Sequence, residues 1–207
     1  MCYHIKKLDN DGIGHIYDRY MKTDFPSDEL KPLSHITRSM DAGYGFSLGI
    51  YEGENLAGYA VFILCEETRC ALLDYFAVLK ERRGGGLGHR AFPLLEAYFM
   101  ENLPEIDGIY IESERVSAAK DEKQRLTRQR RIAFYLSCGC RMTRFRSVLF
   151  GVDYSVLYRA IGERGQEVSL DALDTLYKKM FKPEHYAQSV SLAMMEESQE
   201  KSGFEGV

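Results

Sequence analysis

No cysteine arrangement in this sequence reads as a metal site. The five Cys stand at 2, 65, 70, 138 and 140. Cys138-Gly139-Cys140 is C-x-C and lacks the second ligand pair that a zinc site needs. The thiols therefore read as reduced, and no metal is expected. A dominant charge is missing too. The formal net charge is −4, which removes any global electrostatic case for nucleic-acid binding. No run approaches the ~18–20 apolar residues of a membrane span. Met1-Cys2-Tyr3-His4-Ile5-Lys6-Lys7 holds no apolar signal-peptide core. Internal repeats and low-complexity tracts are absent. The expectation is a cytoplasmic protein with no membrane or nucleic-acid partner.

What is present is ample material for a core. Hydrophobic residues make up 45% of the chain, with 11 Phe and 14 Tyr, which excludes global disorder. Cys2–Leu8 alternates like a first strand. Asp9-Asn10-Asp11 can cap a helix carrying Ile13, Ile16, Tyr17 and Tyr20 at helical spacing. A second helical pattern runs through Leu33, Ile36 and Met40. Strands follow at Phe46–Tyr51 and Leu56–Cys65 around the turn Glu52-Gly53-Glu54-Asn55. Cys70–Leu79 is a third β run. A helix follows through Phe92, Leu95, Tyr98 and Phe99, with Pro93 near its first turn. Gly108–Glu112 is a strand, Ser113–Gln124 a polar loop, and Leu126–Cys138 a helix stopped by Gly139. Strands at Ser147–Gly151 and Tyr154–Ile161 precede a helix marked by Leu170, Leu173, Leu176, Tyr177 and Met180. This order predicts a mixed α/β fold: one twisted sheet, antiparallel in its N-terminal strands, with helices on both faces. The expected divisions are a domain over 1–163, a C-terminal helical extension over 164–195 and a disordered tail over 196–207.

The segment that carries chemistry is Val78-Leu79-Lys80-Glu81-Arg82-Arg83-Gly84-Gly85-Gly86-Leu87-Gly88-His89. A strand runs into a glycine loop, and a helix begins at once. Successive backbone N–H groups at a helix N-terminus make an anion nest, and glycine lets the backbone approach a diphosphate without a Cβ in the way. Arg82 and Arg83 add donors suited to phosphate, and His89 follows at the helix start. The residues alone predict a phosphate-bearing ligand, although a lone glycine loop is as often a tight turn. A Walker loop is excluded, because no Gly-Lys-Ser/Thr follows the glycines. Gly86-Leu87-Gly88-His89-Arg90-Ala91 does read G-x-G-x-x-A, the dinucleotide fingerprint. That fingerprint should follow its strand directly in a parallel sheet. Here antiparallel hairpins precede it, and bulky charged residues separate Val78 from Gly84.

Arg83-Gly84-Gly85-Gly86-Leu87-Gly88 resembles the pyrophosphate motif R/Q-x-x-G-x-G/A of the GNAT acetyltransferase superfamily. Phe76-Ala77-Val78 sits at that family's spacing from the glycines, where strand backbone meets the pantetheine arm. A second likeness is Arg131-Ile132-Ala133-Phe134-Tyr135-Leu136-Ser137-Cys138-Gly139-Cys140, a helix ending in a Tyr, three residues and a Gly. The resemblance departs at Arg128, where many members place an Asn on the cofactor, and at Cys140, where an aromatic is usual.

The resemblance implies acetyl-CoA as cofactor, held by Phe76, Ala77, Val78, Arg82, Arg83, Gly84, Gly85, Gly86, Leu87, Gly88 and His89. It implies direct attack by a neutral amine on the thioester, with backbone N–H groups near Phe76 to Val78 stabilising the oxyanion. Tyr135 would protonate the departing thiolate; by periodicity alone it reads as a core tyrosine. Glu112 or Asp74 would assist amine deprotonation. Glu112 also reads as a solvated strand end. Asp74 breaks an apolar run and so needs a partner or a wet cavity. The run Arg125–Arg131 reads first as a solvated helix face. A binding-only acyl-CoA sensor on the same fold keeps the same glycines. The acceptor is a small-molecule or protein amine, and a homodimer is compatible with the sequence.

Overall fold

The computed structural model describes residues 2–27, 29–165 and 167–196. In chain order the strands are β1 (Tyr3–Leu8), β2 (Gly45–Glu52), β3 (Asn55–Cys65), β4 (Cys70–Val78), β5 (Gly108–Glu114), β6 (Arg141–Leu149), β7 (Val152–Ala160) and β8 (Val190–Met194). The helices are α1 (Asn10–Ile16), α2 (Lys22–Asp24), α3 (Leu33–Asp41), α4 (Leu87–Asn102), α5 (Glu122–Ser137), α6 (Leu170–Met180) and α7 (Pro183–Ser189), with a π-helical stretch at Tyr17–Met21 joining α1 to α2. This is the mixed α/β class that the sequence predicts. By packing, the chain falls into two compact units: Met1–Leu64 with Leu73–Pro104, and Cys65–Leu72 with Glu105–Val207.

In the first unit the strand order is β1-β2-β3-β4. β1 pairs antiparallel with β2, Ile5 opposite Ile50, and β2 with β3, Phe46 opposite Phe62. The Asp9 carboxylate accepts the Gly12 N–H at 2.8 Å and caps α1, an interaction typically worth about 1 kcal/mol. Ile13, Ile16, Met21 and Ile36 from the helices meet Tyr59, Val61, Tyr75 and Ala77 from β3 and β4 in one buried cluster. On the other face, Ile50 and Ala57 pack with Leu87 and Ala91 of α4, and Phe76 and Val78 lie against them. Alternation along β4 thus gives Tyr75 and Ala77 to one layer and Phe76 and Val78 to the other. Burying each large aliphatic side chain in these layers contributes about 1.5–3 kcal/mol. Pro93 lies inside α4, beyond the first turn where the sequence placed it. The helix therefore forgoes the bond to the His89 carbonyl.

In the second unit the opening residues of β4 are followed by β5-β7-β6-β8. β5 pairs antiparallel with β7, β6 with β7 and β6 with β8. Several boundaries differ from the sequence expectation. β6 begins at Arg141 rather than Ser147. Its inward residues Thr143, Phe145, Ser147 and Leu149 are buried, but two of the four are polar, so no apolar alternation marks the strand; a register shift falls between Met142 and Arg146. α5 begins one turn before Leu126. The Asp121 carboxylate accepts the Gln124 N–H at 2.7 Å, so a cap starts a turn with no apolar residue in it. The segment after α6 adds α7 and then β8. Residues 197–207, the greater part of the tail expected to be disordered, lie outside the described residues.

Candidate active site

The glycine loop belongs to the first unit. After β4 the chain makes a short 3-10 turn at Lys80–Arg82, and α4 starts at Leu87 with Gly86 as its N-cap residue. Gly84 and Gly86 hold φ of +84° and +73°, a region that costs an ordinary L-residue roughly 1–2 kcal/mol. A Cβ built on Gly84, Gly85 or Gly86 meets nothing within 4 Å. The loop is thus held in a shape that favours glycine, above open space. The N–H groups of the first turn of α4 have no carbonyl within the helix to reach, and they carry the positive end of its dipole. Gly88 and the exposed His89 stand in that turn, and Leu87 turns inward to the core.

The strand leading to the loop is prepared as well. The Leu79 N–H donates to the Ala57 carbonyl at 3.0 Å, so odd-numbered residues at this end of β4 turn their backbone groups to β3. By strand alternation the backbone groups of Phe76 and Val78 point away from β3. Phe76 packs edge-to-face on Phe92 at 5.6 Å, and Ala77 is buried on the opposite layer.

The two arginines are engaged with the protein itself. Arg82 Nη1 donates to Glu52 Oε2 at 2.9 Å. Arg83 Nη2 donates to Asp24 Oδ1 at 2.7 Å, and its Nε donates to the Val78 carbonyl at 2.9 Å. Asp74 also has a partner: Lys31 Nζ reaches both its carboxylate oxygens, at 2.7 and 2.9 Å. The carboxylate that needed a partner or a wet cavity is held by a cation from the same chain. Tyr75 fixes the segment that brings it, donating to the Glu29 carbonyl and accepting from the Lys31 N–H.

Glu112 and Tyr135 belong to the second unit. Glu112 is not a solvated strand end, because β5 continues to Glu114. Its Oε1 accepts from Ser147 Oγ at 2.8 Å and from the Tyr177 hydroxyl at 2.5 Å. Tyr177 is fully buried; burial first, and the Glu112 charge second, hold its pKa well above the usual range for a phenol. It therefore stays a hydrogen-bond donor to the carboxylate. Tyr135 lies in the last turn of α5 and is 8% exposed. Burial pushes its hydroxyl up to about 12, against a smaller opposing effect of Arg131. The end of α5 is fastened by Arg159 Nη1, which donates to the Cys138 and Gly139 carbonyls, a cation at the negative end of the helix. Arg128 does not lie on a solvated face. It is buried, donates to the Arg115 carbonyl at 2.8 Å and pairs with Glu114.

The structure thus groups Asp74, Phe76, Ala77, Val78, Arg82, Arg83, Gly84, Gly85, Gly86, Leu87, Gly88 and His89 in one unit, and Glu112 and Tyr135 in the other. Sequence reasoning missed Asp24, Lys31, Ser147 and Tyr177. Tyr177 stood on the apolar stripe of α6 and read as core. No local signal joins Lys31 to a carboxylate 43 residues away.

Among the described residues no three His, Cys, Asp or Glu side chains gather as a metal site, and no helix is long and apolar enough to cross a membrane.

Residues 11–139 match the Acetyltransferase (GNAT) family. No curated protein matches significantly by sequence. Among solved structures, a putative GNAT-family acetyltransferase from Bacteroides thetaiotaomicron superposes with TM-score 0.62 at 16% identity, over 88% of this chain and 98% of that one. Spermidine N-acetyltransferase from Vibrio cholerae, solved with CoA and spermine, gives 0.55 at 13% identity over 77% and 95%. The ribosomal-protein-S18-alanine N-acetyltransferase of Escherichia coli gives 0.52 at 17% identity over 81% and 99%. With a match that spans more than half of its length, through the glycine loop and the Tyr135 helix, the chain belongs to the GNAT acetyltransferase family and is an acyltransferase.

Proposed function

We propose that this protein transfers an acetyl group from acetyl-CoA to an amine, carried by a small molecule or a protein. The observation that carries the reading is the loop Gly84-Gly85-Gly86, held at positive φ at both ends with open space over all three Cα atoms. That is room for a diphosphate against backbone N–H groups, in a chain whose family acetylates. Residues Gly84 to His89 would hold the diphosphate through backbone N–H groups, and the outward backbone of Phe76 and the Val78 N–H would hold the pantetheine amides. Bound acetyl-CoA supplies the thioester carbonyl carbon that the amine attacks.

The chain's own groups would do the rest. Backbone N–H groups near Phe76 to Val78 are donors for the negative charge that develops on the carbonyl oxygen. Tyr135 stays protonated across the neutral range, so it can give a proton to the leaving sulfur. Glu112 or Asp74 would accept the amine proton; Lys31 reaches both Asp74 oxygens, and Glu112 accepts from Ser147 and Tyr177. These engaged carboxylates favour a binding-only protein on this fold. The five cysteines are free thiols, which suits a reducing, cytosolic compartment.

A thiol-release assay with acetyl-CoA across a library of polyamines, aminosugars, amino acids and lysine peptides tests the reading. Release of CoA thiol that depends on the amine supports it. CoA binding with no turnover on any amine leaves the binding-only alternative.

A further inference from the structure

Arg83 occupies the first position of the pyrophosphate motif, where a guanidinium is expected to meet phosphate. Its fork is instead divided between two groups of the protein. Nε donates to the Val78 carbonyl at 2.9 Å, and Nη2 donates to Asp24 Oδ1 at 2.7 Å. Asp24 closes α2. Its other oxygen, Oδ2, accepts from the Tyr59 hydroxyl at 2.9 Å. Tyr59 is a fully buried residue of β3. Burial first, and the Asp24 hydrogen bond second, raise its pKa far above the usual phenol range, so it remains a donor. The Asp24 side chain is 11% exposed and that of Arg83 is 52% exposed. The anchor is inside and the strap lies over it. The strand end, the loop and the N-terminal helices are thereby joined by three hydrogen bonds, all within the first unit.

Two physical consequences follow. A side chain bonded at residue 83 to the carbonyl of residue 78 closes the turn between them and fixes where Gly84 begins. A loop so fixed presents its N–H groups without an ordering cost at the moment of binding. The Asp24 carboxylate, bare, would oppose a diphosphate nearby; paired with Arg83, it is neutralised. A planar guanidinium suits both tasks because it holds two acceptors in fixed directions, which an ammonium does not.

We propose that Arg83 is a positioning residue, clasping the glycine loop to Asp24 and to the Val78 carbonyl, and that phosphate capture falls to the loop's backbone N–H groups. This rests on the loop being the diphosphate seat. It adds Asp24 and Tyr59 to the residues on which cofactor affinity depends.

The test is calorimetric titration of CoA into wild type, Arg83→Lys, Asp24→Asn and Tyr59→Phe, with a melting curve for each, followed by steady-state kinetics on acetyl-CoA. Arg83→Lys keeps the charge and loses the fork. The clasp predicts that its CoA affinity falls roughly 10- to 150-fold, the change that about 1.5–3 kcal/mol for hydrogen bonds to charged groups amounts to. Asp24→Asn is the sharper variant. It removes a negative charge beside the diphosphate, so electrostatics alone would tighten binding; the clasp predicts weaker binding. Tyr59→Phe changes no charge and should weaken binding by a smaller factor, which keeps the test alive if Asp24→Asn folds poorly. In each variant KM for acetyl-CoA should rise by a larger factor than kcat falls. Wild-type affinity in Arg83→Lys, tighter binding in Asp24→Asn, or melting shifts with no change in CoA affinity would each overturn the clasp. Failure of the wild type itself to bind CoA would remove the diphosphate reading beneath it, and that is seen before any variant is made.

Discussion

At Tyr135 one hydroxyl separates a catalytic acid from a core aromatic. The ring is buried in the last turn of α5 and sits against Phe134 at 5.3 Å, which any packing residue could do. Tyr135→Phe keeps the ring and removes the proton. If the hydroxyl serves the leaving sulfur, kcat should fall roughly 10²–10⁴-fold, while CoA affinity stays within a few-fold of wild type. The pH dependence has a defined sign. The protonated phenol is the active form, and burial has pushed it to about 12. Activity should therefore show no alkaline loss attributable to Tyr135 until the pH approaches that value. A kcat near wild type in Tyr135→Phe would move the proton donor elsewhere. Gly86 offers the matching test of binding. Gly86→Asp places a carboxylate in the open space over the loop. Asp tolerates positive φ better than most residues, and an acid at a helix N-terminus is electrostatically welcome, so the fold should survive. CoA binding should be lost. A folded Gly86→Asp protein with unchanged CoA affinity by calorimetry would place the diphosphate elsewhere.

Among the elements, those with a regular apolar period were legible, and those built by arginines or by edge pairing were not. β2, β3 and β4 could be read because buried residues run through them almost without break. β6 was read only from Ser147 onward, because its earlier residues are dominated by arginines and an inward threonine rather than by apolar alternation. β8 gives almost no sign of itself. Its residues are half-buried or exposed, and its only reason to be a strand is the free edge of β6, which it pairs from Phe145↔Met194 to Leu149↔Val190. Met195, which carried no signal in the sequence, is 6% exposed and donates its N–H to the Arg144 carbonyl at 2.7 Å. This sets apart two truncations that look alike on paper. Ending the chain after Glu196 should leave the melting temperature nearly unchanged. Ending it after Ser189 removes the β8 ladder and uncovers Phe145. At about 2–4 °C per kcal/mol for a chain of this size, losing several kcal/mol of pairing and burial should lower the melting temperature by roughly 5–15 °C. Equal melting temperatures for the two truncations would mean that β8 contributes nothing to stability.

Over the whole molecule, what stayed hidden in the sequence is pairing at long range. Periodicity reports which face of an element is apolar; it does not report which side chain stands opposite. Hence Asp74 could be marked as needing a partner, but Lys31 could not be named. Glu112 could be marked as a strand acid, but Tyr177 of α6 and Ser147 of β6 could not be placed on it. The glycine loop was legible for the opposite reason. It is written in consecutive residues, and its shape needs only positive φ at Gly84 and Gly86. That difference sets the final expectation, because the loop is the part whose ligand can be asked of the intact protein. A ligand that binds only the folded state stabilises it by RT ln(1 + [L]/Kd), about 2.7 kcal/mol at a hundred times Kd. For a chain of this length that is a rise of roughly 5–11 °C. CoA and acetyl-CoA should produce it, since they carry both the diphosphate for the loop and the pantetheine amides for the outward backbone of Phe76 and the Val78 N–H. ATP and NADH carry phosphates but no pantetheine arm, and should shift the melting temperature far less. Equal shifts from all of these ligands would mean that the loop gathers anions without choosing among them. A larger shift from NADH would return the dinucleotide reading of Gly86-Leu87-Gly88. In Gly86→Asp the CoA shift should vanish while the melting temperature without ligand stays close to wild type, which ties the stabilisation to this loop and to no other part of the chain.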